Sequence, residues 1–181
     1  MRLDYIESSP IALMPVNNVL RYTVEVETGL YRERVWINAS LGPVTLRGLG
    51  ATADAVLLVY HCCPQGNGTR RCSNATVDSS CSPQHPGAGM SRGVETLLIE
   101  ADDFILANIS VANDACGYDA GVAGQSETVQ MLADRTFVSH ARLYGAQDTV
   151  FNRQRYQPPV SGQHVHKREL RFYVWGIPDG V

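Results

Sequence analysis

Three short segments superpose along this chain: "ANISVAN" (107–113), "HARLYG" (140–145) and "RFYVWG" (171–176). Val111, Leu143 and Val174 hold the same place in each, in two nearly equal steps. Each interval contains an obvious loop, "DACGYDAGVAGQ" in the first and "NRQRYQPPVSGQH" in the second. Removing about ten loop residues leaves roughly 20–22 per repeat, within the range that marks stacked units. Such a chain lays coil upon coil. Each coil lends short strands to the coils above and below, turns apolar side chains inward and tolerates loops of varied length at its turns. The repeat therefore predicts an all-β fold, a single-stranded parallel β-helix. A sandwich with accidentally recurring strands is the competing architecture.

The remaining apolar pattern agrees with strands. "YTVEVE" (22–27) alternates with period two, and "RVWIN" (34–38) and "VTLRGLG" (44–50) follow after short turns. Further runs are "AVLLVYH" (55–61), "VETLLIE" (94–100), "DFILANISVAN" (103–113), "ETVQMLADRTFVSHARLYG" (127–145) and "LRFYVWG" (170–176). Val, Ile, Leu, Phe and Tyr fill them, and Gly, Pro, Asn and Asp punctuate them. No amphipathic helix is evident after residue 20; Ile11 to Val16 reads as the remnant of one.

With 181 residues, 44% hydrophobic and 18% charged, the chain has enough material for one globular domain over 1–181. Two insertions are expected in it, a Cys-rich one at about 61–92 and a Pro-rich loop at about 152–168. A net charge of −3 gives no electrostatic case for nucleic acid or an anionic membrane. No apolar run approaches the roughly 18 residues of a membrane span. Asp4, Glu7 and Pro10 break up any signal-peptide core at the N-terminus. Either the protein is intracellular or this chain starts inside a longer one.

The cysteines favour the second option. Four of the five fall in "HCCPQGNGTRRCSNATVDSSC", at 62, 63, 72 and 81, with Cys116 apart. The absence of a CxxC pair argues against zinc, and a disulfide-tied surface loop in an oxidising compartment is the better reading. That loop carries the sequons at Asn67 and Asn74; Asn38 and Asn108 begin two more. Secretion is the expectation.

A β-helix gives spacing a meaning, because residues one coil apart stack at about 4.8 Å. The step from Gln125 to Gln147 is close to one bare coil, and Asp148 adjoins the second glutamine. Asp179, in "YVWGIPDGV", follows one coil later, after the loop. Two amides and two carboxylates then converge on one outward face. A carboxylate can attack an ester carbonyl, amide N–H groups can stabilise the oxyanion, and a second carboxyl kept protonated can release the alkoxide as alcohol. The set lacks the ligands of a good metal site, and no Gly-rich phosphate loop is present; no cofactor or metal is expected.

These residues resemble the pectin methylesterases, or pectinesterases. "ETGLYRERVWI" (27–37) is similar to that family's early G-x-Y-x-E stretch, and "VTLRGLG" to the next strand and turn. "GQSETVQMLADRTFVSHARLYGAQDTVF" (124–151) resembles its Q-A-V-A-L segment followed by Q-D-T-L-Y, with the separation of the two glutamines intact. "YVWGIPDGV" resembles the start of G-x-V-D-F-I-F-G. The resemblance covers most of the chain from about Ser9, apart from the two insertions. It implies a right-handed parallel β-helix and cofactor-free de-esterification of methylated galacturonan, with pectin as the partner and a monomer as the working state. Carried over by position, Asp179 is the nucleophile. Asp148 is the general acid and then the base, and Gln125 and Gln147 help form the oxyanion hole.

Departures from the family's pattern favour a second reading, a catalytically decayed β-helix that binds polysaccharide. Glu127 replaces an apolar residue, and either faces solvent or lies near the site and raises a neighbouring carboxyl's pKa. Pro178 and Gly180 flank Asp179 where the family has Val and Phe. The later L-G-R-P-W motif has no counterpart, so the helix is expected to be incomplete at its C-terminal end. His164 and His166 read as a solvated loop. Arg142 and Arg171 read as outward-facing strand residues. Trp36 and Trp175 suit either the core or a sugar ring.

Overall fold

The strand-like runs pair in parallel, coil upon coil. A computed structural model describes residues 11, 13–62, 94–115, 127–145 and 149–152, with 171–172 described as backbone. The first coil holds β1 (Tyr22–Val26), β2 (Gly29–Arg32) and β3 (Val35–Ile37). The second holds β4 (Val44–Gly48), β5 (Val56–Tyr60) and β6 (Leu97–Ile99). The third holds β7 (Ile105–Ala107), β8 (Ser110–Asn113) and β9 (Val129–Met131). The fourth holds β10 (Phe137–Ser139), β11 (Arg142–Tyr144) and β12 (Val150–Asn152), and β13 (Arg171–Phe172) follows.

Like positions of successive coils make three sheets: β1-β4-β7-β10-β13, β2-β5-β8-β11 and β3-β6-β9-β12. The fold is an all-β, right-handed parallel β-helix with three faces. The bare coil length is visible in the register. Tyr22 pairs with Val44, and Val129 pairs with Val150.

Inward side chains fill the coil. Ile37, Leu46, Ile99, Leu106, Val111 and Met131 belong to one buried cluster drawn from all three sheets. Each is at most 3% exposed, and burial of such a side chain is worth about 1.5–3 kcal/mol. The same sheet alternates. Val35 and Ile37 join the core, while Trp36 between them faces out, half-buried, its indole N–H donating to Glu100 Oε2 at 3.0 Å.

Two long runs break where the sequence shows no Gly or Pro. The run 103–113 becomes β7 and β8, and 127–145 becomes β9, β10 and β11. The corners are non-glycine residues with positive φ: Asp103 (58°) and Arg135 (55°), then Asn108 (55°) and His140 (50°). The members of each pair hold the same place in consecutive coils, so the same strained corner recurs. Asn108 offsets that cost with its amide, which donates to Gly50 O at 2.6 Å and Gly48 O at 3.1 Å. The nitrogen that would carry a glycan is therefore occupied, and Asn108 reads as a structural corner. Gly48 lies opposite it by close approach: a Cβ there would sit 2.1 Å from Asn108 O.

Two expectations need correction. Arg171 pairs with Phe137 and Phe172 with Val138. The segment at 171 thus joins the first sheet, and not the sheet of Val111 and Leu143, which do pair with each other. Val- and aromatic-rich strands look alike on any face, so the second step of the repeat matched the wrong face. Near the N-terminus, Val16 bridges Leu41 in antiparallel fashion, and no α-helix occurs among the described residues.

The buried side chain of Asn113, at the end of β8, ties together the described residues that flank 63–93 and 116–126. Its Nδ2 donates to Cys62 O (2.8 Å), Val94 O (2.9 Å) and Glu127 O (2.9 Å). Its Oδ1 accepts from Cys62 N (3.3 Å) and Ala115 N (3.1 Å). Cys62 and Val94 flank 63–93; Ala115 and Glu127 flank 116–126. One carboxamide thus secures both ends of both segments. Cys62 is buried and disulfide-bonded. Asn113→Ala is expected to cost about 3 kcal/mol in urea unfolding, because several buried backbone groups lose their partner. Asn113→Asp is expected to cost more, since it turns an acceptor toward carbonyl oxygens.

Candidate active site

The catalytic candidates Gln125, Gln147, Asp148 and Asp179 lie outside the described residues, as do His164, His166 and Trp175. What is described is the frame on either side of the Gln147-Asp148 segment. Thr128, just before β9, binds both ends of that segment. Its Oγ1 donates to Tyr144 O at 2.7 Å. Its N–H and that of Val129 donate to Thr149 O at 3.0 and 3.1 Å.

The coil before repeats this construction. Thr96 Oγ1 donates to Ala112 O at 2.7 Å, and the N–H groups of Thr96 and Leu97 donate to Thr128 O at 3.1 and 3.0 Å. A threonine is suited to both duties. Its branched Cβ favours the extended backbone, and its hydroxyl reaches a backbone carbonyl at the corner. The sequence carries a signal for this corner: "ETLL", "ETVQ" and "DTVF" are the same acidic–Thr pattern at 95, 127 and 148.

Carboxylates gather at this corner. Glu95 is fully buried and ion-paired with Arg34, whose side chain is 16% exposed. Breaking such a pair by removing one partner leaves an uncompensated buried charge. Glu127 is 4% exposed, which rules out the solvent-facing alternative for it. Glu33, half-buried on the first coil, has its pKa raised by burial.

Past the corner, the outward column of the third sheet runs Trp36–Leu98–Gln130–Phe151 by direct pairing. Leu98 and Gln130 are each only 1% exposed although they point away from the core cluster. Gln130 Oε1 is buried without a hydrogen-bond partner. On the second sheet Arg142 is exposed and ion-paired with Asp54, so its charge is locally balanced. A hydrogen bond from Ser110 Oγ at 2.7 Å is the chief cause holding the Asp54 carboxyl below its usual pKa, with Tyr144 and Arg142 adding to it. No group of three or more His, Cys, Asp or Glu side chains suited to a metal ion occurs among the described residues.

A three-faced parallel β-helix with a threonine-framed, carboxylate-lined corner is the class of protein these features define. No family model matches the chain. It is 24% identical over 138 residues to pectinesterase 31 of Arabidopsis thaliana, covering 76% of this chain and 38% of that protein. It is 27% identical over 144 residues to a pectinesterase of Ralstonia nicotianae, covering 77% and 35%. Among solved structures, the pectin methylesterase from carrot superposes with a TM-score of 0.54 at 17% identity, over 80% of this chain and 38% of that one. The chain is pectinesterase-like in sequence and fold, and it spans less than half the length of the relatives it matches.

Thr128→Val removes the hydroxyl that holds Tyr144 O and is expected to lower unfolding free energy by about 1–2 kcal/mol. Thr96→Val, which breaks the equivalent bond one coil earlier, is expected to cost a similar amount in the same urea titration.

Proposed function

We propose that the protein is a carboxylic ester hydrolase that removes methyl esters from galacturonan, in an extracellular or cell-wall setting. One observation carries the reading. The register of Val129 with Val150 falls directly after Gln125 and Gln147-Asp148 in a chain similar to pectinesterases. That step is one residue shorter than the step from Gln125 to Gln147, so it supports the two amides lying on adjacent coils without fixing them in direct register. The disulfide at Cys62 supports an oxidising compartment.

In this reading the Asp179 carboxylate attacks the ester carbonyl carbon. The developing oxyanion takes hydrogen bonds from the side-chain amides of Gln125 and Gln147. As the intermediate collapses, the bond to the methoxy oxygen breaks, and Asp148 gives its proton to that oxygen, releasing methanol and leaving a mixed anhydride on Asp179. Asp148, now a carboxylate, takes a proton from water as the water oxygen attacks the galacturonyl carbon. The anhydride then breaks to free galacturonate and regenerate Asp179. No metal or redox partner enters the balance.

The test is methanol release from highly methylated pectin by the protein expressed with its complete reading frame. Activity is expected in the wild type. A loss of about a hundredfold or more is expected in Asp148→Asn and Asp179→Asn, the scale for removing an acid–base group or a nucleophile. A folded wild type that binds pectin but releases no methanol would leave a polysaccharide-binding β-helix in place of the enzyme.

A further inference from the structure

Two N-x-Ser sequons fall among the described residues, Asn38-Ala39-Ser40 and Asn108-Ile109-Ser110. The fold treats them in opposite ways. Both asparagines are half-buried, so exposure does not separate them. Their hydrogen bonds do. The amide of Asn108 is committed to Gly50 O at 2.6 Å and Gly48 O at 3.1 Å. The rest of that sequon is closed off too. Ile109 and Ser110 are fully buried, and Ser110 Oγ donates to Asp54 at 2.7 Å. A substituent on Asn108 Nδ2 would remove one of its two donor hydrogens and leave a part-buried carbonyl without its partner.

Asn38 follows β3 in a turn. Its Oδ1 accepts from Ser40 N–H at 2.8 Å, and its backbone oxygen accepts from Leu41 N–H at 3.0 Å. A backbone N–H needs an acceptor, so the first bond sets the carboxamide with its oxygen on the turn and leaves the nitrogen out of it. Among the described residues no group accepts a hydrogen bond from Asn38 Nδ2. Ala39 and Ser40 are exposed. Backbone contacts alone anchor the turn to the rest of the coil: Asn17 N–H donates to Ser40 O at 2.7 Å, and Val16 bridges Leu41. A substituent on Asn38 Nδ2 therefore breaks no hydrogen bond.

We propose that Asn38 is an N-glycan acceptor of this protein and that Asn108 is not. The proposal rests on the extracellular setting put forward above, because the modification belongs to secreted chains. The co-substrate is an oligosaccharide carried on a polyprenyl pyrophosphate. Asn38 Nδ2 attacks the anomeric carbon, and a C–N bond forms as the bond from that carbon to the pyrophosphate oxygen breaks. The lipid pyrophosphate leaves, and the amide proton passes to a base of the transferring enzyme. The turn suits a chain modified before it folds. Its bonds join near neighbours in sequence, so it forms without the coils. The bonds of Asn108 reach back 58 and 60 residues and exist only once the coils have stacked.

The test expresses the complete reading frame in a eukaryotic host, once as it stands and once behind the host's signal peptide, and maps peptides from medium and cells. Enzymatic release of glycans in heavy-oxygen water turns an occupied asparagine into labelled aspartate. Label is expected at Asn38 in most molecules and not at Asn108 in the exported protein. Ser40→Ala removes the sequon hydroxyl while keeping every backbone bond of the turn, and it is expected to abolish the label at Asn38. An unlabelled Asn38 in the form led by the host's signal peptide overturns the inference. So does label at Asn108 in the exported protein, or label at Asn38 that survives Ser40→Ala. Label at Asn38 only behind the host's signal peptide keeps the acceptor site and removes the extracellular reading.

Discussion

The carboxamide of Asn113 is the interaction on which the rest of this structure depends. A coil as short as the one between Tyr22 and Val44, or between Val129 and Val150, has no room for a long excursion unless the chain leaves and re-enters at fixed points. Asn113 fixes four such points at once, at Cys62, Val94, Ala115 and Glu127. Its two donors and its acceptor oxygen answer backbone groups that neither the sheet ladder nor solvent reaches. Closing a loop costs little more as the loop lengthens, so with its base secured a long insertion disturbs the stack hardly more than a short one.

From that base the threonine rungs follow. Thr96 and Thr128 each donate a hydroxyl to the end of the second-sheet strand of the next coil and a backbone N–H to that coil's threonine. The result is a corner that repeats while the number of residues between the strands it joins varies. Function fits this division. The rigid rungs set where side chains before each strand lie, and among the described residues those are the buried carboxylates Glu95 and Glu127. A core-facing position at the same corner would be apolar; here burial of Glu95 is tolerated because Arg34 accompanies it.

Much of the fold was legible in the sequence because a parallel solenoid writes its period into its apolar residues. Val111 and Leu143 pair as the repeat required. The corners were not legible. Arg135 and His140 are ordinary-looking residues inside an apolar run, and their positive φ is imposed by the coil, not by local propensity. Asn113 looked like the polar end of a strand; only burial among its backbone partners reveals its task. The register at Arg171 was misread because strands of all three faces share one composition. Of the candidate site, the sequence proposed the glutamines and aspartates, which lie outside the described residues, and the fold supplied the Thr128–Thr149 contacts that flank 146–148. For Glu127, sequence left two alternatives, and burial removed one.

The central claim is that one coil step carries Gln125 to Gln147 and sets Asp148 beside them on a single face with Asp179. The most direct measurement is a crystal structure of the protein, expressed with its complete reading frame, bound to a methylated galacturonan oligosaccharide. The account predicts a methyl ester lying against the Asp148 and Asp179 carboxyls, with the side-chain amides of Gln125 and Gln147 within hydrogen-bond reach, about 3 Å, of its carbonyl oxygen. An oligosaccharide bound on another face, or an Asp148 side chain directed away from the ester, would contradict it.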